Sequence, residues 1–173
     1  MISLIAACCL SGCKAKDVSV TSAPKTPAAA ASKRGLSWTL PAGWREEAGE
    51  GMRFATLLAG PVGQAYEVSV IRLDGEAGGA LANVNRWRGQ LGLPPIDAAG
   101  LDKTTRRLET PAGPALFVDL SGRADSGAPQ RMLVAMLPQG ASTWFFKMVA
   151  PGPALKRYAP GFKLLLASLR PSA

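Results

Sequence analysis

The chain has no histidine, and its three cysteines, Cys8, Cys9 and Cys13, all fall within the first thirteen residues. The first absence removes imidazole as a base, proton shuttle or metal ligand. The second leaves everything after Cys13 without a thiol nucleophile, a disulfide or a cysteine zinc site. Motifs are missing too: there is no Gly-x-Ser-x-Gly elbow, no glycine-rich phosphate loop ending in Lys-Ser or Lys-Thr, and no metal-ligand spacing. Gly75, Gly78 and Gly79 lack the residues that would make them a phosphate cradle and read as a loop before a helix. No cofactor and no metal is expected. What the chain does have is apolar content, 47% of 173 residues, enough for one packed domain with appendages.

Met1 to Leu10 is almost wholly apolar. That run is too short to span a bilayer, which needs about 20 residues, but it suits the apolar region of a signal peptide. The residues that follow, Leu10-Ser11-Gly12-Cys13, resemble a bacterial lipobox. The resemblance implies a signal peptide over 1–12, cleavage before Cys13, and acylation of the Cys13 thiol. Each buried acyl methylene contributes about 0.8 kcal/mol, so two or three chains hold a protein firmly on a membrane. No Lys or Arg precedes the apolar run, as a signal requires, so the true start is expected upstream of Met1. Lys14 stands where an aspartate would resemble an inner-membrane retention signal, which points to the outer membrane, facing the periplasm.

Residues 13–35 read as an acylated cysteine followed by a flexible Ala/Pro/Ser/Lys tether. Pro24 and Pro27 interrupt helix, and little apolar surface is present to offset the entropy of ordering. As a flexible chain the segment reaches roughly 25 Å. It holds five basic residues and one acid, half of the net charge of +8. Beside a membrane that charge suits anionic head groups, and it equally suits simple linker solubility. The remaining basic residues are scattered along 36–173 rather than clustered with aromatics, so no nucleic-acid partner is expected.

From Leu36 onward the chain reads as a single α+β domain, 36–173. β-like runs are Ser37–Leu40, Met52–Leu58, Tyr66–Leu73, Thr105–Glu109, Ala115–Ser121, Arg131–Leu137 and Thr143–Ala150. In the third, Tyr66, Val68 and Val70 share one side, with Glu67 and Ser69 on the other. Turn residues such as Gly60-Pro61, Asp74-Gly75 and Gln139-Gly140 separate the runs. Most connections are too short for a helical crossover, so the sheet is expected to be mainly antiparallel. Helical spacing covers Ala80–Leu91, with Ala80, Leu81, Val84, Trp87 and Leu91 in one stripe and Gly92 as the stop. A second helix is expected to begin at Pro160, separate from a turn of helix over Pro153–Tyr158, because proline breaks a helix interior.

Trp38-Thr39-Leu40-Pro41-Ala42-Gly43-Trp44 resembles the opening strand of the PsbP/Mog1-like group, in which a strand ends in Pro-x-Gly-Trp. The resemblance continues as a strand pair, a long helix, three more strands and a closing helix that ends in Ser168-Leu169-Arg170. It implies an antiparallel sheet flanked by helices, an α/β/α sandwich, and a binding or assembly role. The stretch Asn83 to Pro94 is similar to a segment found in uncharacterised bacterial lipoproteins, which implies no activity.

Two sets of residues stand out as candidates. Asn83, Arg86 and Gln90, with Asn85 and Arg88 at the margins, give the helix an amide-rich, cationic face. Amides donate and accept, and arginine can grip a carboxylate or phosphate through two bonds, so the face suits an acidic partner or a glycan as well as plain solvent. Arg88 and Asp119 are charges in apolar settings, candidates for burial, and each fits an edge position, a structural ion pair or a polar ligand site. Trp38, Trp44, Trp87 and Trp144 read as packing rather than sugar platforms. Glu46, Glu47 and Glu50 read as a solvated loop. The function expected is a membrane-tethered, non-catalytic binding or assembly module of the cell envelope with a protein partner. The alternative is a small envelope enzyme using carboxylates, on glycans.

Overall fold

The computed structural model describes residues 35–172. Cys13, the 1–12 segment and the tether before Gly35 lie outside the described residues. Seven strands form one sheet: β1 (Trp44–Ala48), β2 (Arg53–Ala59), β3 (Tyr66–Asp74), β4 (Thr105–Thr110), β5 (Gly113–Arg123), β6 (Pro129–Gln139) and β7 (Ser142–Ala150). Their order is β1-β2-β3-β7-β6-β5-β4, and every neighbouring pair is antiparallel. Helix α1 (Gly79–Gln90) and the short α2 (Ala98–Thr104) carry the chain from β3 in the middle of the sheet to β4 at its far edge. Helix α3 (Gly152–Ala167) follows β7 and closes the fold.

The helices take opposite faces, and the strand pattern follows from that. On one face Val68, Val70, Phe117, Leu133, Trp144, Phe146 and Met148 pack with Leu155, Phe162, Leu165 and Leu166 of α3. On the other, Val118, Leu120, Met132, Val134 and Phe145 pack under Val84, Trp87 and Leu91 of α1. Strands β6 and β7 are therefore apolar on both sides, since successive side chains alternate faces and a helix lies over each. This is the α/β/α sandwich that the PsbP/Mog1-like resemblance implies.

Several local expectations are corrected. Ser37–Leu40 is not a strand: only Ser37 pairs, in an isolated bridge with Arg170. The first strand begins at Trp44, after a turn in which the Trp44 N–H donates to the Pro41 carbonyl (3.0 Å) with Gly43 at φ 76. Glu46 and Glu47 thus belong to strand β1, and their side chains point to opposite faces rather than into a loop. Four strands, not three, follow α1. Helix α3 runs without a break through Pro160. The ring sits on the exposed side, and Lys156, whose carbonyl loses its helical partner, is exposed too, so water can satisfy it. Gly161, next in line, lets α3 close on the sheet: a Cβ there would lie 3.0 Å from Trp44 Cζ2.

Candidate functional site

Helix α1 has a glycine, Gly78, at its N-cap and no side-chain cap there. Asn83 fixes the start of the helix in another way, by bonding carbonyls rather than the uncapped N–H groups. Its Nδ2 donates to the carbonyls of Ala77 (2.8 Å) and Gly79 (2.7 Å), and its Oδ1 accepts from Arg86 Nη2 (2.5 Å). The Ala77 contact steadies a residue at φ 51, a left-handed conformation uncommon for a side chain with a Cβ. Consequently Asn83 is only 2% exposed. At the other end, Leu93 N–H donates to Arg88 O (2.9 Å) and Gly92 N–H to Gly89 O (3.0 Å), with Gly92 at φ 64. That is a Schellman stop with glycine at C′.

The predicted amide face is divided between two flanks of α1. Val84, Trp87 and Leu91 are the buried stripe, with Ala80 partly buried beside them; Leu81 is half-exposed and lies outside it, while Asn83 is buried. On Leu81's flank Asn85 acts as a substitute strand: its Nδ2 donates to Ile96 O (2.9 Å) and its Oδ1 accepts from Ile96 N (2.8 Å). Arg88 is half-buried and its Nε donates to Pro94 O (2.7 Å). These two residues hold the 94–96 segment and do not belong to the same face as Arg86 and Gln90. Nor is Asp119 buried. Its carboxylate receives two bonds from Arg131, Nε to Oδ1 (2.7 Å) and Nη2 to Oδ2 (2.6 Å), at a partly exposed strand position. The burial penalty that would have made either charge notable is avoided by placement and pairing. Both nonetheless line one cleft of about 440 Å³, with Lys103, Arg106 and Lys163.

Arg86 and Gln90, on the opposite flank, face the sheet across a groove of about 250 Å³. Its floor is Ile71, Val134 and Phe145, its wall Trp87, and its far lip Met52, which is 73% exposed. Lys147 rises from that floor. Strand register puts it opposite Ser69 on β3 and Val134 on β6. Its Nζ donates to Gln90 Oε1 (3.2 Å). Burial, then the charges of Arg86 and Arg53, push the Lys147 amine down from its ordinary value. Arg53 is balanced by Glu67 (2.8 Å); Lys147 and Arg86 have no carboxylate within ion-pair distance among the described residues. Sequence pattern alone does not single out Lys147. The available signal was a single cation between Phe146 and Met148 in an otherwise apolar run.

The acidic residues gather elsewhere. Glu46 accepts a hydrogen bond from Trp38 Nε1 (3.0 Å) on the α3 side. Glu47, Glu50 and Glu67 line a shallow cleft with Arg53 and Thr56. Among the described residues, no group of three His, Cys, Asp or Glu side chains could hold a metal ion. Nor is any described helix long and apolar enough to cross a membrane. Trp38, Trp144, Phe54 and Phe146 form an edge-to-face cluster, so these tryptophans serve packing.

Fold and groove together define an α/β/α sandwich that carries Lys147 and Arg86 in an open groove beside its first helix. No protein-family model and no curated protein matches the sequence. Solved structures do match in shape. A protein of Bacteroides thetaiotaomicron superposes with a TM-score of 0.51 at 9% identity, over 80% of this chain and 45% of that one, so the present chain spans less than half its length. LpqN of Mycobacterium tuberculosis, described as involved in cell envelope biogenesis, gives 0.52 at 12% identity over 80% and 83%. Cyanobacterial PsbP (CyanoP) from Synechocystis gives 0.48 at 9% identity over 79% and 92%. At such identities the likeness is one of fold.

Proposed function

We propose that the chain is a non-catalytic binding or assembly module, tethered at the cell envelope through lipid on Cys13, and that it captures a protein partner at the groove beside α1. One observation carries the reading: Lys147, half-buried over an apolar floor beside Arg86, with no carboxylate among the described residues within ion-pair distance to neutralise it. A convergent polar group in an apolar concavity is the usual form of a binding site, and an uncompensated cation there favours an anionic visitor. Envelope placement draws support from the lipobox resemblance and from the shape shared with LpqN. An outer-membrane position facing the periplasm rests on Lys14 after the cysteine.

The test is photo-crosslinking in the native envelope from a residue placed at Met52. The reading expects a discrete partner captured there, absent when the crosslinker is at Leu164 on α3, and lost on Lys147→Met. Equal capture from both positions would overturn it. For the tether, Cys13→Ser is expected to release the protein from the membrane fraction, and retention there would refute lipid anchoring. A second reading, an envelope enzyme acting on glycans through carboxylates, draws on the cleft of Glu47, Glu50 and Glu67. Glycan release that stops with Glu50→Gln would establish it over the first.

A further inference from the structure

We infer that the groove receives the C-terminus of the partner chain, with the terminal carboxylate on Lys147 and Arg86 and an apolar last side chain over Ile71, Val134 and Phe145. This deepens the binding-module reading and rests on it.

Three features select that occupant. The first is donor arithmetic. Lys147 has three N–H bonds and gives one to Gln90; Arg86 has five, and its bond to Asn83 fixes how the guanidinium faces the groove. Gln90 adds its own amide N–H pair. The remaining donor hydrogens at the mouth come from Lys147, Arg86 and Gln90, and two of these three groups are cationic. A carboxylate, which only accepts, is the complement.

Size is the second feature. A cavity of about 250 Å³ falls below the roughly 300–1,000 Å³ typical of small-molecule sites. That is room for one apolar side chain and a carboxylate.

The third is what lies beside it. Past Met52 and Arg53 the same sheet face carries the shallow cleft of Glu47, Thr56 and Glu67, where no helix covers β2 and β3. An open polar surface running away from an apolar groove suits the residues that precede a chain end. A free small acid would leave it unused.

The probes are acetylated tetrapeptides ending in leucine or phenylalanine, each as free acid and as C-terminal amide, with sodium octanoate as the non-peptide acid. Binding to the full chain is read from the Ile71 δ1-methyl NMR signal, which reports this groove alone. The free acid is expected to bind saturably and the amide about tenfold or more weakly, the effect of one charge-assisted contact. Lys147→Met should weaken the acid by a similar factor, and Lys147→Arg should restore it to within a few-fold. Should Lys147→Met not fold, Arg86→Gln carries the same expectation. Equal binding of acid and amide, or no effect of either substitution, would overturn the inference. So would octanoate binding as tightly as the best peptide. If no peptide moves Ile71 while crosslinking from Met52 still depends on Lys147, the chain-end assignment fails and the binding module stands. If that crosslinking fails as well, both fall.

Discussion

Asn83 and Arg86 form one unit on α1: the Asn83 Oδ1 accepts from the Arg86 guanidinium at 2.5 Å, while Nδ2 of the same amide holds the carbonyls of Ala77 and Gly79. Helix start and groove wall are thereby fixed by a single buried side chain. Asn83→Ala removes both connections and leaves the Ala77 carbonyl without this donor. It is expected to cost about 1–3 kcal/mol in urea unfolding. Arg86 is released in the same variant, so peptide affinity should fall even at temperatures where the fold persists.

Lys147 makes stability depend on pH. Burial, Arg86 and Arg53 depress its folded-state pKa below the ordinary 10.5, so the unfolded chain holds the proton more tightly. The groups facing it are Arg86 and Gln90 from α1, Arg53 from β2, and Ser69 with nearby Glu67 from β3. Stability is therefore lowest below the depressed value and rises with pH from there to about 10.5. Lys147→Met should be more stable than the parent at neutral pH by about 0.5–2 kcal/mol, the usual scale when a functional strain is removed. That gap should narrow as unfolding is followed into alkaline solution. A constant gap would contradict this account.

Pro160 provides a test of the uninterrupted α3. Because the ring lies inside a continuous helix and on its exposed side, Pro160→Ala restores a backbone donor for Lys156 without adding bulk. Thermal unfolding should show stabilisation, up to about 3 kcal/mol on the helix-propensity scale. Were the helix two separate pieces, the substitution would be near neutral.

Gly122 is where β5 meets the end of α1. A Cβ there would lie 2.3 Å from the Leu91 carbonyl oxygen, which already accepts from Arg123 N at 2.9 Å. Backbone rather than a flexible side chain must yield, so Gly122→Ala is expected to cost about 1–3 kcal/mol. Gln90 is adjacent to the displaced residue, and the Ile71 methyl signal should shift in the same variant.

The Asp119–Arg131 pair is bidentate yet partly exposed, with side-chain exposures of 36% and 29%. Asp119→Asn should cost no more than about 1 kcal/mol in urea unfolding. Arg88→Ala, which loses the bond to Pro94, should likewise cost about 1 kcal/mol.

Period and punctuation made much of the fold legible. The alternation in Tyr66–Val70, the turn dipeptides and Gly92 locate β3, the hairpins and the end of α1 without reference to the rest of the molecule. Elements that depend on distant partners were hidden. Glu46 and Glu47 join a strand because β2 lies alongside, and Pro160 is tolerated because its helix face meets solvent. For the same reason the candidate face was only half readable. Helical spacing groups Asn83, Arg86 and Gln90, with Asn85 and Arg88 at the margins, but the Ala77 and Ile96 backbones claim the two asparagines and Pro94 claims Arg88. Lys147 comes from another element altogether, and no local pattern links position 147 to position 90.

The backbone at the root of the domain has a mechanical consequence. Ser37 and Arg170 exchange both backbone hydrogen bonds (2.8 and 2.9 Å), Gly35 N–H donates to Ser172 Oγ (3.1 Å), and Leu36 is fully buried in the α3-side core. Force arriving through the residues before Gly35 thus enters at the far side of the sheet from α1 and meets a clasp joining the two ends of the folded chain. On the proposed lipid anchor at Cys13, a pull would meet the Ser37–Arg170 clasp before it reached α1.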